Sequence, residues 1–431
     1  MSTNPSRRLI PEQASVATAK RIAYIAGMDS RASPSDHQPP WFDIGENRLK
    51  LVHEPQDRMD ALTHLIDRAE HRLQLFYYMF EDDAVGTKLL SKLVAACERG
   101  VSVELMIDSF GSNTTARAFF NPLIAAGGKF GVFSPRFSTS YLVRNHQKIA
   151  ISDTSRALVG GFNITDDYFN RREEGEPNMW EDVGVAIEGP EVSALARWYD
   201  RLSDWVEHDN GNILKLQKMV RTWSAGDGRF RWLLGGPSNR LSRWAWSIKN
   251  DLEAGSRLDL VAAYFSPGQG LLRRIARLSK KGGDSNLLLP GKTDNGATIG
   301  ASRLLYGYLL KRNARIFEYQ PRRLHTKLVV VDDAVYVGSA NFDIRSLFIN
   351  VEMMVRIEDR AFADHARNLV MQMCGASQQI TPEVHKSRKS LLNRIRWALS
   401  YFIVNTLDYT VTRRFNLGLT RLDRLPSGKE D

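Results

Sequence analysis

Marking apolar and polar positions along the chain yields one series of elements written twice. In the first copy Arg72 to Phe80 (RLQLFYYMF) predicts a strand, and Ala84 to Arg99 predicts a helix because Leu89, Leu90, Leu93 and Val94 recur at helical spacing. Val101 to Ile107 then alternates as a strand, Thr115 to Ala126 predicts a helix and Lys129 to Phe133 a further strand. The second copy predicts a strand from Leu258 to Phe265, a helix from Leu271 to Lys280, a strand from Asn286 to Leu289, a helix from Ile299 to Arg312 and a strand from Ala314 to Tyr319. Strands alternating with helices imply α/β layering, with a mostly parallel sheet in each half.

Both series run into nearly the same signature, NHQKIAISDTSRALVGGFN from Asn145 and LHTKLVVVDDAVYVGSANFD from Leu324. Each reads His-x-Lys-x4-Asp followed by a glycine turn and an asparagine: His146, Lys148, Asp153, Gly160 and Asn163, then His325, Lys327, Asp332, Gly338 and Asn341. Two copies 179 residues apart, each at the end of the same series, mark an internal repeat and not a chance match. The second copy is one residue shorter between Asp332 and Gly338 than the first between Asp153 and Gly160, which trims a turn and leaves His325 and Lys327 undisturbed.

On a strand, residues two apart share a face, so each histidine projects with its lysine. An ammonium beside an imidazole suits a phosphate: the lysine binds an oxygen while the histidine does nucleophilic or proton-transfer chemistry. Two halves that met would bring both pairs to one phosphorus, one histidine attacking to give a phosphohistidine and the other protonating the departing oxygen. Carboxylates can set the two protonation states. Asp182 lies 36 residues beyond His146 and Glu352 lies 27 beyond His325, each before an alternating apolar strand, with Glu181 the rival to Asp182. Asp153 and Asp332 sit at odd offsets from their histidines, facing away from the chemistry, and are expected to be structural, pairing across the halves. The Asn163 and Asn341 amides are candidates for phosphate contacts or for holding their turns.

Composition changes this picture in two places. A chain of 431 residues with 43% apolar and 25% charged residues has room for two or three domains and excludes collagen-like, disulfide-scaffold and wholly disordered classes. Cys97 and Cys374 are too few for a disulfide framework or a zinc site, no Walker loop is present, and the chemistry calls for no metal or cofactor. Of the net charge of +10, +6 falls on residues 386–431, where an anionic surface would feel it first. Leu391, Ile395, Ala398, Leu399, Phe402, Ile403 and Leu407 form an apolar helical stripe there, with Arg394, Arg396, Arg413 and Arg414 on or beside it. The start of the chain has no apolar stretch of signal-peptide length and the longest apolar block, Trp397 to Val404, is eight residues, so a chain that is intracellular and not spanning is expected.

The duplicated His-x-Lys-x4-Asp pattern resembles the phospholipase D superfamily, over about residues 46–375. Within it GGFNITDDYF, IEGPEV, AYFSPG, LLYGYLLKRNARIFEYQPRRLHTK and GSANFDIRSL resemble the bacterial cardiolipin synthases that have no N-terminal membrane hairpin. The resemblance implies two pseudo-symmetric α/β/α halves, each around a mixed, mostly parallel sheet, with the active site at their interface. The expected layout is an arm or lid at 1–45, a first half at 46–210, a junction near 208–227, a second half at 228–375 and a basic tail at 386–431. It further implies transfer of a phosphatidyl group from one phospholipid, typically phosphatidylglycerol, to the hydroxyl of another. His146, Lys148 and Asp153 with His325, Lys327 and Asp332 would be the catalytic set, His146 the nucleophile, and Asn163, Asn341, Asp182 and Glu352 the support. Expected partners are phospholipids and, through the tail, the anionic inner membrane on its cytoplasmic side. A phospholipase with water as acceptor, a nuclease of the same superfamily and an inactive lipid-binding protein are the rivals. The placement of the charge on the tail counts against nucleic acid as a partner, and the six intact motif positions against inactivity.

Overall fold

The computed structural model describes residues 39–135, 143–169, 179–223, 225–226, 228–237, 241–293 and 296–406, and Pro40 onward forms one compact unit. The first half runs β1 (Phe42–Ile44), β2 (Asn47–Val52), α1 (Pro55–Asp67), β3 (Arg72–Tyr77), α2 (Ala84–Glu98), β4 (Ser102–Asp108), a 3-10 turn (Arg117–Phe120), α3 (Asn121–Ala125) and β5 (Lys129–Phe133). It continues through β6 (Lys148–Ser152), β7 (Arg156–Gly160), α4 (Asp166–Phe169), β8 (Trp180–Glu181), β9 (Gly184–Glu188) and α5 (Val192–His208). The stretch expected as a junction carries α6 (Ile213–Thr222). The second half runs β10 (Phe230–Gly235), α7 (Arg243–Ala254), β11 (Arg257–Ala262), α8 (Gln269–Lys280), β12 (Asp284–Pro290), α9 (Gly296–Leu310), β13 (Arg315–Tyr319) and β14 (Arg323–Leu324). Then follow β15 (Lys327–Val331), β16 (Ala334–Gly338), α10 (Ile344–Phe348), β17 (Glu352–Glu358), α11 (Arg360–Gly375), β18 (Ser377–Ile380), α12 (Pro382–Arg388) and α13 (Leu391–Thr406).

The repeat read from the sequence is a repeat of topology. One sheet is ordered β1-β2-β9-β7-β6-β3-β4-β5 and the other β10-β17-β16-β15-β11-β12-β13-β18, so seven strands correspond one to one and each sheet adds one edge strand. The expectation of mostly parallel sheets needs correction. Within the two large sheets parallel pairing is confined to β3-β4-β5 and to β11-β12-β13, where helices make the crossovers. The signature strands are joined by tight turns, which force β6-β7 and β15-β16 to pair antiparallel.

Those turns explain the motif aspartates. The turn after β6 holds Asp153 and Thr154 at φ of 50° and 56°, and the shorter turn after β15 holds Asp332 at 47°, left-handed conformations that aspartate tolerates. The Asp153 carboxylate accepts from the backbone N–H groups of Glu70, His71 and Arg72. Asp332 accepts from those of Ser256 and Arg257. Each aspartate therefore fastens its hairpin to the start of the central strand β3 or β11 of its own half. Neither pairs across the halves and neither reaches His146 or His325.

Successive residues of the signature strands serve different cores. Ile149 and Ile151 of β6 and Leu328 and Val330 of β15 point into one central core, shared by the two sheets with α5 and α11. Ala150 faces the outer helices of the first half, and Val329 and Val331 those of the second. All these residues are buried, and the central core fixes one signature hairpin against the other.

Candidate active site

Each signature strand begins by pairing with the other half. Asn145 bridges Val351, with His146 N–H donating to the Val351 carbonyl at 2.8 Å, while β14 runs parallel to β8 and His325 N–H donates to the Glu181 carbonyl at 2.8 Å. The residue after each of those partners is a carboxylate. The histidine of one half is thereby set against the acid of the other: His146 Nδ1 lies 3.1 Å from Glu352, and His325 Nδ1 lies 2.7 Å from Asp182. The two imidazoles are buried with ring centroids 6.5 Å apart. His146 Nδ1 also lies 3.1 Å from the Ser339 carbonyl, which can only accept, so Nδ1 carries the proton and Nε2 of the neutral ring holds a free lone pair.

Both lysines are buried beside their histidines. Lys148 donates to the His146 carbonyl at 2.7 Å, and Lys327 donates to the His325 carbonyl. Burial pulls the Lys148 ammonium well below its ordinary range. Burial and then the neighbouring lysine lower both histidines, His146 to about 4 against the pull of Glu352, and His325 well below its ordinary range. The carboxylates diverge. Burial works to raise both, but Glu352 is held below its ordinary range by His146, Lys148 and the Ser339 hydroxyl, whereas Asp182 is pushed up to about 6 despite Lys327 and Arg58.

The shell accounts for the difference. Glu352 accepts from Ser339 Oγ at 2.5 Å, Ser346 Oγ at 2.7 Å and Asn350 Nδ2 at 3.5 Å. Asp182 accepts the backbone N–H of Val183 at 2.8 Å, and where Ser339 stands in the second half the first has Gly161, whose Cβ would press into the Asp182 carboxylate. Glu181 points elsewhere: it accepts from Tyr319 at 3.1 Å and Arg322 at 3.3 Å, tying the halves together. Asn163 and Asn341 are buried at equivalent positions and each has an amide Oδ1 with no hydrogen-bond partner, so both turns hold polar capacity unused by the fold. Aromatic rings line the histidines, Tyr78 at 4.9 Å from His146, and Tyr168 at 5.5 Å and Trp180 at 5.4 Å from His325. Among the described residues no cluster of His, Cys, Asp or Glu could hold a metal ion, and no helix is long and apolar enough to cross a membrane.

Sequence reasoning missed the exchange of acids between halves, the serines on Glu352, and Arg58. The first was implicit in the equal placement of the acids, and the second in GGFN against GSAN. Arg58 had no signal, since an arginine in a helix reads as solvated.

The family profile described as "Cardiolipin synthase, PLD-like domain" matches residues 62–201 and 250–374. Cardiolipin synthase from Listeria innocua is 29% identical over 371 residues, covering 82% of this chain and 74% of that protein. Cardiolipin synthase 1 from Bacillus cereus is 31% identical over 338 residues, covering 74% and 65%. Among solved structures, phosphatidylserine synthase from Haemophilus influenzae aligns with a TM-score of 0.66 at 15% identity, over 87% of this chain and 97% of that one, a likeness of fold. A polyphosphate kinase from Porphyromonas gingivalis shares the fold more distantly, with a TM-score of 0.54 at 13% identity over 78% of this chain and 49% of that one. With the profile falling on both halves and the paired histidines at their junction, this chain belongs to the cardiolipin synthase family of phospholipase D-like proteins.

Proposed function

We propose that this chain is a phosphatidyltransferase, a cardiolipin synthase that moves a phosphatidyl group from phosphatidylglycerol to the hydroxyl of a second phospholipid through a phosphohistidine on His146. The observation that carries this reading is the pair of buried histidines 6.5 Å apart, each oriented by a carboxylate. Burial and the lysines keep both rings neutral, so His146 Nε2 is an available nucleophile. The donor's phosphate brings a negative charge between Lys148 and Lys327, cancels their field and lets His325, backed by Asp182, hold a proton. Nε2 attacks phosphorus, the bond to the glycerol oxygen breaks, and that oxygen leaves with the His325 proton. The acceptor hydroxyl then gives its proton to His325 as its oxygen attacks phosphorus and the P–N bond breaks. The rings about His325 favour transfer over hydrolysis by excluding water from the intermediate. With pure phosphatidylglycerol the expected products are cardiolipin and glycerol, read by mass spectrometry. Phosphatidic acid as the main product would make the chain a phospholipase instead.

The same reading gives α13 the membrane contact, on the cytoplasmic face of the bacterial inner membrane. Trp397 and Ser400 are buried, with Ser400 against Gly300 of α9, while Leu391, Leu392, Ile395, Leu399 and Phe402 are exposed beside exposed Arg394 and Arg396. Leu407, Arg413 and Arg414 lie outside the described residues. An apolar face rimmed by arginines matches an anionic lipid surface, each cation adding about 1 kcal/mol there. Leu392→Glu with Ile395→Glu is expected to abolish pelleting with phosphatidylglycerol vesicles and to spare turnover of a soluble short-chain donor. Unchanged pelleting would refute the contact.

A further inference from the structure

We infer that Arg58 is a positioning residue that holds Asp182 in place and ionised, so that His325 can serve as the acid. The inference rests on the assignment of His325 as proton donor and extends it to a residue that no motif contains.

Arg58 sits on α1 with no solvent exposure, and its guanidinium donates to three backbone carbonyls: Asp182 at 2.6 Å, Tyr168 at 2.6 Å and His53 at 2.8 Å. Its Nε has no partner. A fully buried cation is costly, and this one has no salt-bridged carboxylate among the described residues to offset it. Its neighbouring charges are nevertheless acidic, Asp182 first and then Glu181 and Glu54. Those facing Asp182 in turn are His325, Lys327 and Lys148 from the signature strands, with Arg58 from α1.

The repeat supplies a control. Aligning Gly160 with Gly338 puts Tyr168 opposite Ser346. In the second half the Ser346 carbonyl is bonded at 3.2 Å by the indole of Trp244, a neutral group on α7, the helix corresponding to α1. Structure alone needs a donor at this place, and a neutral indole serves. The half that carries a charge there is the half whose acid faces a glycine where the other acid is bonded by the Ser339 hydroxyl. The Arg58 charge does for Asp182 what the serines do for Glu352.

The test compares Arg58→Gln and Arg58→Lys with the unmodified protein on two substrates, short-chain phosphatidylglycerol and bis-p-nitrophenyl phosphate. The aryl leaving group departs without a proton, so loss of the acid should matter little to it. Arg58→Gln is expected to lose about tenfold in kcat on the lipid and no more than about threefold on the aryl ester, with Arg58→Lys retaining most lipid turnover. In an Asp182→Asn background Arg58→Gln should add almost nothing, because it acts through Asp182. Equal losses on the two substrates, or full additivity with Asp182→Asn, would overturn the inference. Should Arg58→Gln fail to fold, the kcat–pH profile of Arg58→Met, which fills a similar volume without the charge, decides: an acid limb displaced to higher pH supports the role, and a superimposable profile refutes it. If Asp182→Asn lowers aryl ester turnover as much as lipid turnover, the assignment of His325 as acid fails, and the residual turnover lets the additivity measurement report on Arg58 separately.

Discussion

The two halves hold their histidines with the same geometry and different chemistry. Glu352, serving His146, is surrounded by the neutral donors Ser339, Ser346 and Asn350 and stays firmly ionised. Asp182, serving His325, accepts the backbone N–H of Val183 besides the imidazole and has a buried arginine behind it, and burial pushes it up to about 6. On the proposed mechanism a duplicated fold provides two imidazoles, and its divergence provides their two roles. The nucleophile needs a ring in one tautomer through the whole cycle, which a well-bonded carboxylate ensures. The shuttle works against a partner that is less firmly ionised, and Asp182, pushed up to about 6 by burial, is that partner.

The largest effect that can break this comparison comes from the rings. His146→Ala is expected to abolish both turnover and labelling of the protein by a radioactive phosphatidyl donor. His325→Ala should slow turnover of a lipid donor by about 10² to 10⁴ while a donor with a good leaving group still labels His146. Label surviving in the first variant and vanishing in the second would exchange the two roles.

Next come the acids, through pH and stability together. Turnover of the lipid donor should fall as pH drops through about 6, where Asp182 takes up a proton in the folded protein. The stability signs are opposite for the two groups. Asp182 has a raised affinity for protons in the fold, so its contribution is present below its unfolded pKa and is lost as pH rises through about 6. Glu352 is depressed, so its contribution is present above its unfolded pKa and is lost as pH falls through the folded one. At pH 8, therefore, Asp182→Asn should raise the melting temperature by about 1 to 2 °C and Glu352→Gln should lower it. Shifts of the same sign would mean that the two shells do not differ as described.

How much of this was legible in the sequence follows from what each feature depends on. The order of elements, the paired motifs and the candidate acids are local patterns: His146, Lys148, Asp182 and their counterparts could be named because strand periodicity fixes which residues share a face. Sheet direction was misread, since hairpins of two or three residues after Ser152 and Val331 leave no helical signal and were absorbed into a parallel scheme. The motif aspartates were seen to face away from the chemistry, but the hairpin returns them to their own half, and a turn conformation at Asp153 and Asp332 cannot be read as a pairing across halves. The α13 stripe was visible as periodicity, while its division into a packed Trp397 face and an exposed Leu392 face depends on where α9 lies. Arg58 was invisible because its value comes from burial among carbonyls over 100 residues away.

The smallest expected effect sharpens the comparison most. Ser339→Gly makes the second half resemble the first at this position, deleting one hydroxyl from Glu352 while Ser346 and Asn350 remain. One hydrogen bond of about 1 kcal/mol out of a satisfied network should cost about threefold to tenfold in the labelling of His146. The loss should be the same for aryl and lipid donors, because both are attacked by the same ring. The reciprocal change, Gly161→Ser, should not be a mirror image: its Cβ presses into the Asp182 carboxylate, so it displaces the acid and does not support it. Its loss should fall on the lipid donor and exceed that of Ser339→Gly, whereas matched losses would show that the two acids are interchangeable supports and that the roles of the halves are set elsewhere.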